Sequence, residues 1–126
     1  MLRKSSGLAT VLTDALLPLA DDIECALIFG SVARGQETVY SDIDILVLGS
    51  VGFADVIEAL HPAQGELHRE INPVVYRVDN FRSKLASDNG WAREVVEKPK
   101  LFLVGDEDDF RKLVEDPKSG SVPNKA

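Results

Sequence analysis

A single cysteine, Cys25, stands in the 126 residues. One thiol closes no internal disulfide and builds no cysteine-based zinc site. It lies in an apolar run and reads as a small core residue. Basic residues are also short, with 14 Lys and Arg against 21 Asp and Glu and a formal net charge of -7. Nonspecific binding to nucleic acid draws most of its affinity from basic contacts to phosphate, so nucleic acid is disfavoured as the main partner. No stretch approaches the roughly 20 apolar residues of a membrane span. Met1-Leu-Arg-Lys runs into Ser-Ser-Gly and not into the apolar core of a signal peptide. A cytoplasmic protein with no membrane partner is expected. The chain carries no repeat, no low-complexity tract and no Gly-Lys-Ser/Thr phosphate loop.

The length suits one domain with a core of its own. Residues 8–19 place Leu8, Val11, Leu12, Ala15, Leu16 and Leu19 at helical spacing, with Pro18 kinking or ending the last turn. "IECALIFG", 23–30, and "SDIDILVL", 41–48, read as strands. Between them, Ser31-Val-Ala-Arg opens as a helical turn that Gly35 ends. "FADVIEAL", 53–60, is a helix that Pro62 stops, and "ELHREINPVVYRV", 66–78, is a strand whose Pro73 suggests an edge or a bulge. Asp79 caps a helix over "NFRSKLAS". A helix over 90–97, a strand over 100–105 and a helix over 106–115 follow. The order of elements predicts a single α/β (α+β) domain over residues 1–116, a small mixed sheet with helices packed on it. Residues 117–126 read as a disordered tail.

The chemistry concentrates in residues 27–49, "LIFGSVARGQETVYSDIDILVLG". Strand side chains alternate between faces, so Asp42 and Asp44 share one face while Ile43, Ile45 and Val47 take the other. The Cβ atoms of the two aspartates stand about 7 Å apart along the strand. Held together and half-buried, the two carboxylates repel, and one would take up a proton unless a hard cation sits between them. Upstream, Gly30 allows a ligand close to the backbone, and amides at the Ser31 turn face an anion. If the two strands pair, phosphate and metal meet at one rim. His61 and His68 lack metal-ligand company and read as surface residues. The acidic run Asp106-Glu107-Asp108-Asp109 reads as a helix start favoured by the dipole. Trp91, Phe81, Phe102 and Phe110 read as core.

"GSVARGQETVYSDIDILV" resembles the signature of the polymerase-beta-like nucleotidyltransferase superfamily: Gly-Ser, a short loop, then Ser-Asp-(apolar)-Asp-(apolar). The later segments "REINPVVYRVDNFRSKL" and "PKLFLVGDEDDF" look like a prokaryotic subgroup of minimal domains, antitoxin-like or attached to a winged-helix regulator, although no helix-turn-helix pattern is present here. The resemblance implies that Gly30 and Ser31 hold a triphosphate and that Asp42 and Asp44 bind Mg2+ (or Mn2+). It implies a third carboxylate on a neighbouring strand that completes the metal site and helps deprotonate the attacking hydroxyl. Glu70 is the candidate, although the family pattern has Asp there; Asn72 is the next candidate, as a polar ligand. Arg34 is assigned to a phosphate and Ser41 to the nucleotide-binding loop, where it orders the strand start, while Tyr40 reads as packing or as a stacking residue. The reaction implied is in-line attack of an acceptor hydroxyl on the α-phosphorus, AMP from ATP, with two metals about 4 Å apart. The partners implied are a nucleoside triphosphate and a partner protein, a toxin or a regulator. The alternative is an inactive nucleotide-binding or regulatory module of the same fold, and position 70 separates the two.

Overall fold

β1 (Ile23–Phe29) and β2 (Ile43–Gly49) form the centre of a four-stranded sheet, with β3 (Ile71–Tyr76) and β4 (Leu101–Val104) outside them in the order β3-β2-β1-β4. The computed structural model describes residues 7–30, 42–87 and 90–114. β1 is antiparallel to β2 and β4, and β2 is parallel to β3, so the sheet is mixed as expected. A parallel pair needs a crossover, which α2 (Phe53–Leu67) supplies. The remaining helices are α1 (Gly7–Leu16), α3 (Val78–Ala86), α4 (Gly90–Glu97) and α5 (Glu107–Val114).

The period-2 pattern of the central strands sorts them between two cores. Ile43, Ile45 and Val47 of β2 join Leu12 and Leu16 of α1 and Val56, Leu60 and Ala63 of α2. Leu46 and Leu48 turn the other way, onto Phe81 of α3, Ala92 and Val95 of α4 and Phe110 of α5. Cys25 and Leu27 share that second core, and burial pushes the Cys25 thiol up to about 12, with Asp109 and Asp106 adding to the effect. The thiol is a packing group at physiological pH.

Phe81 anchors the second core. It is fully buried and meets the rings of Tyr76, Trp91 and Phe110 at centroid distances of 6.2, 6.1 and 6.4 Å. Phe81→Ala removes this aromatic hub and leaves a cavity, at an expected cost of about 3–5 kcal/mol. Urea denaturation checks it: the midpoint falls while the slope with denaturant stays constant.

Element boundaries differ from the sequence reading around α2, β3 and α3, and β2 begins at Ile43, after Asp42. Pro62 does not stop α2, which runs through it to Leu67. The buried positions Val56, Leu60 and Ala63, with partly buried Leu67, keep helical spacing across the proline. Their burial outweighs the roughly 3 kcal/mol penalty of an interior proline. β3 consequently starts at Ile71 and not at Glu66, after His68 closes the helix in a left-handed conformation with φ 56°. Asp79 lies in the first turn of α3, past its N-cap Arg77, and pairs with that arginine at 3.8 Å across exposed surface.

Other readings hold. Pro18 sits at the start of a 3-10 turn (Leu17–Asp22) that takes over where α1 ends. Pro73 lies on an edge strand, where its missing N–H need not leave a gap in the sheet. Asp106 accepts the Asp109 N–H at 2.9 Å, and Glu107 and Asp108 pair with Arg111 and Lys112 one turn on, so the acidic run starts a helix. The segment read as a tail lies outside the described residues.

Candidate active site

Antiparallel pairing of β1 with β2 brings Phe29 opposite Asp44. Gly30 therefore leaves the sheet directly beside that carboxylate. Its backbone takes φ +82°, and a Cβ built on it would lie 2.7 Å from Asp44 Oδ2. The missing side chain is thus what gives the aspartate its room. The glycine turn and the acidic pair meet at one rim, the condition on which the sequence reading depends.

Asp42 precedes β2 and is exposed, while Asp44 lies within the strand and is half-buried. Parallel pairing with β3 sets Asn72 beside Asp44. The Asn72 Nδ2 donates to Asp42 Oδ2 at 3.3 Å, and its amide also bonds Asp44. Burial pushes the Asp44 carboxyl above its usual range, the negative charge of Asp42 adds to this, and the Asn72 hydrogen bond opposes it. A half-buried carboxylate pair with one member biased towards protonation is a donor set that a hard divalent cation relieves. Asp42 and Asp44 are thus chemically fit to hold Mg2+ or Mn2+.

Glu70 stands just before β3, with its backbone oxygen accepting the Ile43 N–H at 2.9 Å. It is exposed and lines a hollow with His61, Gln64 and His68 at the end of α2. Among the described residues no three His, Cys, Asp or Glu side chains gather where a metal ion could sit. The side chain that the register delivers to the acidic pair is Asn72. Ser31, Arg34, Tyr40 and Ser41 lie outside the described residues.

The rim opens into a cleft of about 380 Å³ lined by Phe29, Gly30, Asp44, Trp91, Glu94, Val95 and Lys98. The sequence reads Trp91 only as core. It does pack on Phe29, Tyr76 and Phe81, but it also walls the cleft. Glu94 and Lys98 also line it. Their signal is the spacing of positions 91, 94 and 98, one face of α4 and its C-terminal end. A larger groove of about 530 Å³ lies between α1 and α2, on the other side of the sheet. Its charged lining residues, Asp14, Asp55, Glu58 and Glu66, are all acidic, so it repels a polyphosphate.

Comparison with known proteins points the same way. The family profile described as "Polymerase beta, Nucleotidyltransferase" matches residues 14–108. The "Putative protein adenylyltransferase" of Methanocaldococcus jannaschii is 35% identical over 82 residues, 64% of this chain and 78% of that protein. A chain from the crystal structure of a toxin-antitoxin with AMP-PNP shares the fold, with a TM-score of 0.59. That match has 16% identity and covers 89% of this chain and 85% of the other.

Proposed function

The chain belongs to the polymerase beta nucleotidyltransferase family, and from that premise we propose that it transfers AMP from ATP to a hydroxyl group on a partner protein. The observation that carries this reading is the contact between the Gly30 turn and Asp44, with Asp42 and Asn72 on the same rim. The Methanocaldococcus jannaschii relative, named for adenylyl transfer to protein, supports the choice of nucleotide and acceptor. The AMP-PNP of the toxin-antitoxin structure supports ATP and a toxin-like partner.

In this reading the phosphate chain lies against Gly30, where no side chain blocks it, with Ser31, Arg34 and Ser41 as further contacts from the loop. Asp42 and Asp44 would hold Mg2+ (or Mn2+), which when bound neutralises phosphate charge and lowers the barrier to in-line displacement. Asn72 orients Asp42 from the neighbouring strand. The acceptor oxygen bonds to the α-phosphorus as the bond to the bridging oxygen breaks. Pyrophosphate leaves with that electron pair, and the hydroxyl proton passes to a carboxylate. Glu70 is the proposed recipient: its backbone is bonded to Ile43, between the two aspartates, and its exposed side chain would turn from the α2 hollow to reach them.

One observation favours a second reading, a nucleotide-binding module without transfer: the neighbour of the acidic pair on β3 is an amide, Asn72, and not a carboxylate. ATP labelled at the α-phosphate, incubated with magnesium and an extract of the source cells, separates the two. Active transfer labels a protein band from α-labelled ATP and not from γ-labelled ATP, and Glu70→Gln removes the label. Nucleotide binding with no label in any fraction supports the module.

A further inference from the structure

The cleft beside Gly30 and Asp44 is lined by a cation, Lys98, that the proposed transfer does not use. Lys98 follows directly on α4, its N–H bonded to the Glu94 oxygen at 2.9 Å, and its side chain lines the cleft with Gly30 and Asp44. Every other described Lys or Arg is engaged. Arg77, Arg111 and Lys112 pair with acids, Arg82 donates to the Leu113 oxygen, and Lys84 lies over the Tyr76 ring. Lys100 donates to the Val96 oxygen and covers Phe110, and Arg69 and Arg93 also have partners. Among the described residues, no ion pair, hydrogen bond or ring contact takes up the Lys98 ammonium, not even with Glu94, the acid one turn earlier that lines the same cleft.

We propose that Lys98 engages the β- and γ-phosphates of the nucleotide, the part that leaves as pyrophosphate. The inference rests on the nucleotidyltransferase reading and adds a triphosphate-selecting residue to it. Trp91 lies seven residues earlier, on α4, about 10 Å along the helix axis. The two therefore span a length of cleft suited to a nucleotide, and Gly30 and Asp44 line the same cleft. An ammonium placed there favours the triphosphate over the monophosphate in binding and offsets negative charge as the bridging Pα–O bond breaks and pyrophosphate departs.

The chain has one tryptophan, Trp91, so its emission reports occupancy of this cleft. Titration with ATP and with AMP, each with magnesium, gives both affinities, and equilibrium dialysis with labelled nucleotide gives them independently of emission. Lys98→Gln is expected to weaken ATP about tenfold, the equivalent of one charge-assisted hydrogen bond. AMP affinity stays as in the wild type, and Lys98→Arg restores most of the loss. ATP affinity unchanged in Lys98→Gln, or ATP and AMP weakened equally, overturns the assignment and leaves the nucleotidyltransferase reading intact. A wild-type chain that binds neither nucleotide by either method overturns both.

Discussion

Asp44→Asn is expected to lower nucleotidyl transfer by about a thousandfold or more, the scale of losing several kcal/mol of transition-state charge stabilisation. The same substitution is expected to leave the fold at least as stable at neutral pH. Both effects come from one cause. The Asp44 carboxyl is raised above 3.8, by burial first and by the Asp42 charge second. A carboxyl raised on folding adds stability that is fully present below the unfolded value and lost as pH rises through the folded value. At pH 7, with metal chelated, the ionised Asp44 is therefore a liability to the fold, and a neutral amide in its place is not. The substituted side chain also keeps an oxygen to accept from the Asn72 amide. In chelator the melting temperature of the variant lies at or above that of the wild type at pH 7, and its advantage disappears below about pH 4. With magnesium and ATP the order reverses, because only the wild type gains the stabilisation of bound ligand. A variant that melts well below the wild type in chelator would mean that Asp44 serves the fold.

Gly30→Ala is the second change with a large expected effect. Its Cβ would stand 2.7 Å from Asp44 Oδ2, and φ +82° is a conformation that costs a non-glycine residue roughly 1–2 kcal/mol. The strain alone does not explain why glycine is needed here, and Gly105 supplies the control. It has the same φ of +82°, but a Cβ there would meet Asp109 Oδ2 at 3.4 Å and the Cys25 Sγ at 3.6 Å, close to ordinary contact. Both alanine variants are expected to lose comparable stability. Only Gly30→Ala displaces a carboxylate of the site, and a shift of about 1 Å at a reacting centre costs on the order of a hundredfold. Transfer rates and melting temperatures of the two variants, measured side by side, check the difference. Equal loss of transfer in both would reduce the role of Gly30 to backbone conformation.

How much of this was legible in the sequence depends on whether the information is local. The face of Asp44 follows from the pleat of the run from Ile43 to Leu48, whereas Asp42 stands just before that strand and is tied to the same rim by the Asn72 amide. The meeting of Gly30 with Asp44 needed only that two consecutive strands pair. That Asn72 stands beside Asp44 needed the register of β3 against β2, which no local pattern sets. That register depends on where α2 ends, and α2 runs on because burial of Ala63 and Leu67 carries it past Pro62. Lys98 and Glu94 were further out of reach. Their helix is far along the chain from Asp44 and joins the site through the packing of Ala92, Val95 and Phe81 against Leu46 and Leu48. The spacing of positions 91, 94 and 98 puts them on one side of α4, but which side faces a cleft is set only when the helix docks.

The central claim is that Asp42 and Asp44 together hold a divalent ion beside the Gly30 turn. Crystals grown with manganese and a non-hydrolysable ATP analogue test it most directly, through the anomalous signal of the metal. A manganese peak is expected within coordination distance of both carboxylates, with phosphate oxygens of the analogue on the same ion against Gly30. A nucleotide bound with its phosphates elsewhere, or manganese bound away from this pair, contradicts it.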